Sequence, residues 1–267
     1  MNKKLGKLKN ILKKMSSVLV AYSGGVDSTF LLKVALDTLG KNNVFAVMAK
    51  SETYPSSEIK YAINIAKFLG AEYSVIKTNE LKDKRFVKNP INRCYYCKKE
   101  LFSRLKNIAK KLKINCVVDG TNYDDRLDIR PGALAGEKLG IESPLKEAKM
   151  TKKDIRKLSK NIGLSTWDKP SFACLSSRIP YGDKIDVKVL RMIDAAEKFL
   201  KEFGFAQVRV RHHNNMARIE LGREDIKKVL KNNLTKKIAE KLKKIGYNYI
   251  TLDLEGYRTG SMNLVRD

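Results

Sequence analysis

The sequence predicts an α/β protein: a doubly wound parallel sheet followed by a smaller α+β domain. Three features carry this reading. Residues 18–76 alternate short apolar runs with helical periodicity in a βαβαβ order, the pattern of a parallel sheet. The alternation of helix and strand then continues to residue 165. After an irregular stretch dense in Pro, Ser and Gly, the pattern changes to αββαβ. The predicted divisions are residues 1–165, a loop over 166–185, and a small domain over 186–267.

The elements follow in order. Residues 1–15 carry six lysines interleaved with Leu and Ile, which predicts a short amphipathic helix. Residues 18–22 form an apolar run that stops at Ser23-Gly24-Gly25 and reads as a buried strand. Residues 28–39 place Phe30, Leu31, Val34, Ala35 and Leu39 at helical spacing. A second strand is predicted over 44–49, and Pro55 precedes a helix with Ile59, Ala62, Ile63 and Ala66 on one face. A third strand covers 73–76, and a long helix follows Cys94-Tyr95-Tyr96-Cys97. Residues 116–119 predict a strand, 133–139 a short helix and 141–145 a last strand. Thr151 with Asp154 has the form of a capping box. In the small domain, residues 187–203 read as a helix, and 207–210 and 216–221 as a hairpin around His212-His213-Asn214-Asn215. One or two helices over 226–245 and a strand over 249–254 complete it.

The hydrophobic fraction of 43% suits a globular chain with a real core. No apolar run approaches the roughly 18–20 residues of a membrane span. The N-terminal residues lack the apolar stretch of a secretory signal, so a cytoplasmic protein is expected. The net charge of +26 favours polyanionic partners, with RNA the first thought. Lysines spread over solvated helix faces explain the same count, and no arginine- and aromatic-rich recognition motif accompanies it. Nucleic acid is therefore not the expected partner, while a phosphate-bearing small molecule suits a basic site.

Ser23-Gly24-Gly25-Val26-Asp27-Ser28 lies between a buried strand and a helix. Glycines let the backbone approach an anion, and its amides and the helix N-terminus then face phosphate oxygens. Ser23 and Ser28 offer hydroxyls, and Asp27 suits magnesium, a hard cation that prefers oxygen ligands. An ordinary tight turn explains a lone Gly-Gly pair. The full motif directly after the first strand favours a nucleotide. It is not a Walker loop, since it lacks the Gly-Lys-Ser/Thr ending.

Over residues 17–165 the sequence resembles the PP-loop family, the N-type ATP pyrophosphatases with an adenine nucleotide alpha hydrolase-like fold. That resemblance implies cleavage of ATP between its α and β phosphates, with magnesium, at the carboxyl ends of the strands. It implies contacts from Ala21, from the loop Ser23 to Ser28, from Met48 near adenine, and from Gly120 and Thr121 near the α-phosphate.

Further motifs narrow the reading. Asp119-Gly120-Thr121-Asn122 precedes Asp124, Asp125, Asp128 and Arg130-Pro131-Gly132. Later come Ser143-Pro144-Leu145 and Ala173-Cys174-Leu175-Ser176-Ser177-Arg178-Ile179-Pro180-Tyr181-Gly182. A cysteine flanked by serines and an arginine is a candidate nucleophile, because a neighbouring cation favours ionised sulfur. A buried cysteine in a packed loop explains it equally well. Together these pieces closely resemble the LarE family, over nearly the whole chain to Leu254-Glu255-Gly256-Tyr257 and Met262.

LarE enzymes serve the nickel-pincer cofactor of lactate racemase. The resemblance implies adenylation of the carboxylates of a pyridinium dicarboxylate mononucleotide and their conversion to thiocarboxylates. It puts the sulfur donor at Cys174, which single-cysteine members convert to dehydroalanine, and it implies a homo-oligomer such as a hexamer. This sequence departs from the single-cysteine pattern. Cys94 and Cys97 open a helix, where the dipole favours thiolates. With Cys174 they match a cluster-dependent branch, in which three cysteines hold a [4Fe-4S] cluster and an open iron delivers sulfide. A dithiol pair recycling a persulfide, half of a zinc site, or a structural role remain alternatives. Cys116 is expected in the core.

Arg178 is expected beside the catalytic cysteine. Arg178, Arg209 and Arg211 are candidates for a substrate phosphate, since the guanidinium fork suits it, and Arg130 in the acidic loop is a candidate cofactor contact. An exposed strand face is the alternative for Arg209 and Arg211. Two rival functions stay open: a tRNA thiolase, which shares the loop and the thiol chemistry, and a non-catalytic nucleotide-binding regulator.

Overall fold

The computed structural model describes residues 3–127, 131–170, 173–205, 207–231 and 234–258. The chain divides into two compact units, Met1–Phe86 with Asn92–Phe172, and Val87–Ile91 with Ala173–Asp267.

In the first unit the order is α1 (Lys3–Met15), β1 (Val18–Ala21), α2 (Val26–Leu39), β2 (Val44–Lys50), α3 (Ser56–Phe68) and β3 (Glu72–Lys77). Then come α4 (Lys84–Val87), α5 (Arg93–Lys111), β4 (Cys116–Val118), α6 (Pro131–Lys138), α7 (Pro144–Glu147) and α8 (Lys152–Asn161). The sheet order is β3-β2-β1-β4, every pair parallel. Strand β1 sits at its centre, pairing Val18 with both Val44 and Cys116. A strand covered on both faces needs apolar residues throughout, and Val18, Leu19 and Val20 are fully buried. Alternation sends them to opposite faces. Val18 and Val20 join Leu8, Leu12, Phe30 and Leu31 on the side of α1 and α2. Leu19 joins Val47, Leu101, Phe102 and Leu105 on the side of α5. This is the doubly wound architecture that the sequence predicts.

One expected element is absent. Residues 141–145 do not form a strand. Glu142 makes a single parallel bridge with Val118, and Pro144 then opens α7. Proline's fixed φ and missing N–H suit the first helical position, so the chain turns helical there. The capping box does form. Thr151 and Asp154 exchange side-chain and backbone hydrogen bonds at the start of α8. Lys4 of α1 adds a contact of 2.6 Å to Asp154. Burial pushes the Asp154 carboxyl up, but the bonds from Lys4 and Thr151 outweigh it and hold the group down at about 2.

The second unit contains α9 (Val187–Lys201), β5 (Val208–His213), β6 (Met216–Leu221), α10 (Arg223–Lys231), α11 (Leu234–Ile245) and β7 (Tyr249–Leu252). Its sheet order is β5-β6-β7, antiparallel then parallel. The hairpin is tighter than the sequence suggests. His213 still pairs with Met216, which leaves Asn214-Asn215 as a two-residue turn. Asn214 has φ of +52°, a left-handed conformation that Asn tolerates. Val208, Val210, Ala217, Ile219 and Leu221 face Ala196, Leu200 and Leu242 in a core of its own. Among the described residues, no helix is long and apolar enough to cross a membrane.

Replacing Thr151 by Ala is expected to cost about 0.5–2 kcal/mol in urea denaturation near neutral pH. Asp154 is depressed when folded, so its contribution is present above the ordinary carboxylate pKa and is lost as pH falls towards about 2. The Thr151→Ala penalty should therefore shrink below about pH 4.

Candidate active site

The turn from β1 into α2 is fixed by what it must approach. Gly24 has φ of +69°, and a Cβ there would lie 2.6 Å from Ala62 Cβ on α3. Only glycine meets both demands. On the other side, a Cβ on Gly120 would lie 3.0 Å from Ser28 N and 3.2 Å from Ser28 Cα. The loop after β4 therefore runs directly against the first turn of α2. Within the loop, Ser23 Oγ and Ser28 Oγ lie 3.0 Å apart, and Ser28 Oγ donates to the Gly25 carbonyl at 3.3 Å. Tyr22 N donates to Val47 O, which ties the loop to β2, and Met48 is buried beside it in sequence.

Asp119 organises the next loop. It accepts bonds from Thr121 N and Oγ1 and from Ser143 Oγ at 2.8–3.1 Å. Asp124 accepts the backbone N–H of Lys152 at 2.8 Å and so fixes the start of α8. The Lys152 side chain reaches Asp27 Oδ2 at 2.5 Å. Asp27 Oδ1 is buried and makes no hydrogen bond. A carboxylate oxygen with no donor, beside glycine backbone and serine hydroxyls, fits magnesium and phosphate.

Cys94 and Cys97 stand on the first turn of α5 in this unit, three residues apart and hence on one helix face. Cys94 is exposed and Cys97 half-buried. Two thiols at a helix N-terminus fit a thiophilic metal or cluster by donor chemistry. Cys174 belongs to the second unit. Within neither unit, among the described residues, do three His, Cys, Asp or Glu side chains gather as a metal site. Cys116 packs against the core as expected. Its thiol is pushed up to about 11 by burial first and then by Glu142.

In the second unit, Cys174 is half-buried and caps a single helical turn over Leu175–Arg178. Arg178 is fully buried. Its Nε and Nη2 bind Glu197 at 2.8 and 3.0 Å, and its Nη1 donates to the carbonyls of Ala173 and Cys174. Arg211 donates to the Ser177 carbonyl at 3.0 Å and to Glu220 at 2.7 Å. Two guanidinium groups thus brace the cysteine turn from below. Arg209 and Arg211 are buried, so the exposed-face alternative does not hold. Burial, and next the Arg178 charge, pull the Arg209 guanidinium below its ordinary range. Among the described residues, Arg178, Arg209 and Arg211 are buried in this unit together with the carboxylates Glu197 and Glu220.

Arg130 lies outside the described residues, as does the segment 259–267 with Met262. Sequence reading missed Lys152 and Glu197. Lys152 carries no local signal, because its partner is 125 residues away. Glu197 had one: it stands on the apolar stripe of α9 with Leu190, Ile193 and Leu200.

The parallel sheet and its glycine loop define an α/β protein of the nucleotide-binding class. The NAD synthase family matches residues 2–166. An uncharacterized protein of Synechocystis is 42% identical over 262 residues, covering 98% of this chain and 97% of its own. The pyridinium-3,5-bisthiocarboxylic acid mononucleotide synthase of Lactiplantibacillus plantarum is 41% identical over 252 residues, or 94% and 91% of the two chains. An NH(3)-dependent NAD(+) synthetase of Chlorobaculum tepidum is 26% identical over 165 residues, 60% of this chain and 58% of its own. The chain belongs to the LarE family, within the NAD synthase-like PP-loop proteins.

Replacing Glu197 by Ala would leave the buried Arg178 guanidinium without its carboxylate. The expected loss is about 3–5 kcal/mol in chemical denaturation. Glu197→Gln, which keeps a hydrogen-bond acceptor, should lose less.

Proposed function

We propose that this chain is an ATP-dependent, AMP- and pyrophosphate-forming sulfurtransferase. Its substrate is a pyridinium dicarboxylate mononucleotide, and its product carries thiocarboxylates in the place of carboxylates, for a nickel-pincer cofactor. The observation that carries this reading is likeness over 94% of the chain to a named bisthiocarboxylic acid mononucleotide synthase. The phosphate loop supports the ATP step and the braced Cys174 turn supports the sulfur step.

In the first step a substrate carboxylate oxygen attacks the α-phosphorus of ATP. An oxygen–phosphorus bond forms, the α–β bridge breaks, and pyrophosphate leaves. The loop amides and the Ser23 and Ser28 hydroxyls bind phosphate oxygens; Asp27 holds magnesium. Lys152, paired with Asp27, is the cation that would meet a phosphate bound with the magnesium there. In the second step a sulfur nucleophile attacks the acyl carbon and AMP leaves with its electron pair. Arg209 and Arg211 suit the substrate phosphate, because both are buried close to the Cys174 turn and the planar guanidinium fork matches phosphate oxygens. Arg178 holds the Cys174 carbonyl and so sets the turn that presents the sulfur.

Cys94, Cys97 and Cys174 are the residues that would hold a [4Fe-4S] cluster, and such a cluster would supply sulfide as the sulfur source. The unit carrying Cys174 is assigned to substrate binding and oligomer assembly, and the protein to a cytoplasmic homo-oligomer.

Incubation with magnesium, ATP and the dicarboxylate mononucleotide should form AMP and pyrophosphate; formation of ADP and phosphate would sink the reading. Lys152→Met should raise the KM for ATP by roughly ten- to hundredfold, the value of one charge-assisted hydrogen bond. Anaerobically purified wild-type protein should carry about four irons per chain with a broad visible band, and Cys94→Ala should lose both. Colourless, iron-free protein after anaerobic reconstitution would return the sulfur source to Cys174 itself.

A further inference from the structure

We propose that Lys169 is a phosphate-binding residue of the nucleotide site, holding the pyrophosphate end of ATP. The inference deepens the ATP reading above and rests on it. Lys169 lies in the first unit, beyond α8, in a segment with no helix or strand of its own. Its ammonium is nonetheless placed on the phosphate loop, 3.2 Å from the Gly24 carbonyl oxygen. It also meets Glu58 Oε2 at 2.8 Å, on the first turn of α3, and lies 3.9 Å from the centre of the Tyr61 ring. The side chain is 17% exposed. Most lysines of so basic a chain are solvated, so a lysine drawn in over the loop calls for a reason.

The point from which this side chain departs is fixed. Lys169 N donates to Thr166 O at 3.1 Å. Arg156 of α8 donates to the carbonyls of Trp167 and Lys169, both at 2.9 Å. The backbone is therefore held on both sides before any ligand arrives, which lowers the entropy cost of binding. An ammonium has three N–H donors. Here one faces Glu58, one faces Gly24 and the Tyr61 ring lies against the remaining side, so the bond to Gly24 is the one an incoming acceptor would take over.

Charge decides what that acceptor is. The Gly24 carbonyl is a neutral acceptor, whereas a hydrogen bond to a charged oxygen is roughly twice as strong. A pyrophosphate group seated on this loop brings several negative charges to where Lys169 already lies. The ammonium can move its bond from carbonyl to phosphate while keeping Glu58. Glu58 keeps the charge in position, and the Tyr61 face covers the remaining side. On the other flank, Lys152 and Asp27 form the matching pair. The loop is thus bordered by two lysines, each held in place by a carboxylate.

The rival explanation is a tether: Lys169 only fastens α3 to the loop through Glu58. The two differ in what happens when Glu58 is neutralised. Binding of magnesium pyrophosphate to the full-length chain, by titration calorimetry, would be compared with the KM for ATP in Lys169→Met, Lys169→Arg and Glu58→Gln. Lys169→Met is expected to weaken pyrophosphate binding and raise the KM for ATP, each by roughly ten- to hundredfold. Lys169→Arg should restore most of the binding. Glu58→Gln breaks the ion pair but leaves the cation and an acceptor to position it, and should lose clearly less than Lys169→Met, as a partly exposed ion pair is worth little. Equal losses in Lys169→Met and Glu58→Gln would overturn the proposal, as would wild-type binding in Lys169→Met. Where Lys169→Met does not fold by circular dichroism, Lys169→Gln is read against the same expectations. A wild-type chain that binds neither pyrophosphate nor ATP overturns the ATP reading itself, and the role of Lys169 with it.

Discussion

The first unit depends on two backbones that must nearly touch. The β1–α2 turn comes against α3 at Gly24 and Ala62, and the β4 loop comes against α2 at Gly120 and Ser28. A side chain at either glycine would have to displace backbone rather than a flexible tip. In a core packed at crystal density such a displacement is not absorbed locally. The same turn carries the Ser23 and Ser28 hydroxyls and the first amides of α2, the donors that an anion would meet. The fold and the proposed phosphate site therefore rest on the same constraint. The capping box of α8 serves it indirectly: Asp124 holds the Lys152 amide, and α8 then delivers the Lys152 side chain to Asp27.

The second unit is organised by buried charge instead. Arg178 and Glu197 are both almost completely buried and meet through two hydrogen bonds. Removing two ions from water costs several kcal/mol each, and their attraction repays this only with good geometry and further bonds. Here the further bonds exist, since Arg178 also serves the Ala173 and Cys174 carbonyls and Glu197 also accepts Val210 N. A hydrophobic pair of similar volume would stabilise the core as well or better. What it would not do is fix the carbonyl of a cysteine. The arrangement is better understood as conformational control of one turn than as a source of stability.

Much of this was legible in the sequence, and the reason is locality. The βαβαβ order, the SGGVDS loop and the Thr151 capping box are written in residues within one or two turns of each other. Periodicity and turn chemistry report those directly. The strand expected over 141–145 failed because an apolar run shows burial but not conformation, and Pro144 decided for helix. The pairs Lys152–Asp27 and Lys169–Glu58 span more than a hundred residues each, and nothing near either lysine marks it among so many. Glu197 was visible in principle. An acid on an apolar helix stripe must find a buried partner or stay protonated, so its presence already pointed to a cation or hydrogen-bond donors elsewhere.

These pairs also bear on the meaning of a net charge of +26. The count does not by itself build an anion site, because solvated lysines are screened within about 10 Å at ordinary ionic strength. What distinguishes Lys152 and Lys169 is that each is partly buried and held by a carboxylate on a different element. A carboxylate partner lowers the local positive potential, which would seem to work against binding phosphate. It also keeps a flexible four-carbon stem in one place and keeps the amine charged in a partly desolvated setting. Under the proposed ATP reading, an incoming polyanion would meet cations already in position. The site gives up some attraction at long range and gains order at short range. For a reaction that must hold three phosphates in line with a carboxylate, order is the scarcer quantity.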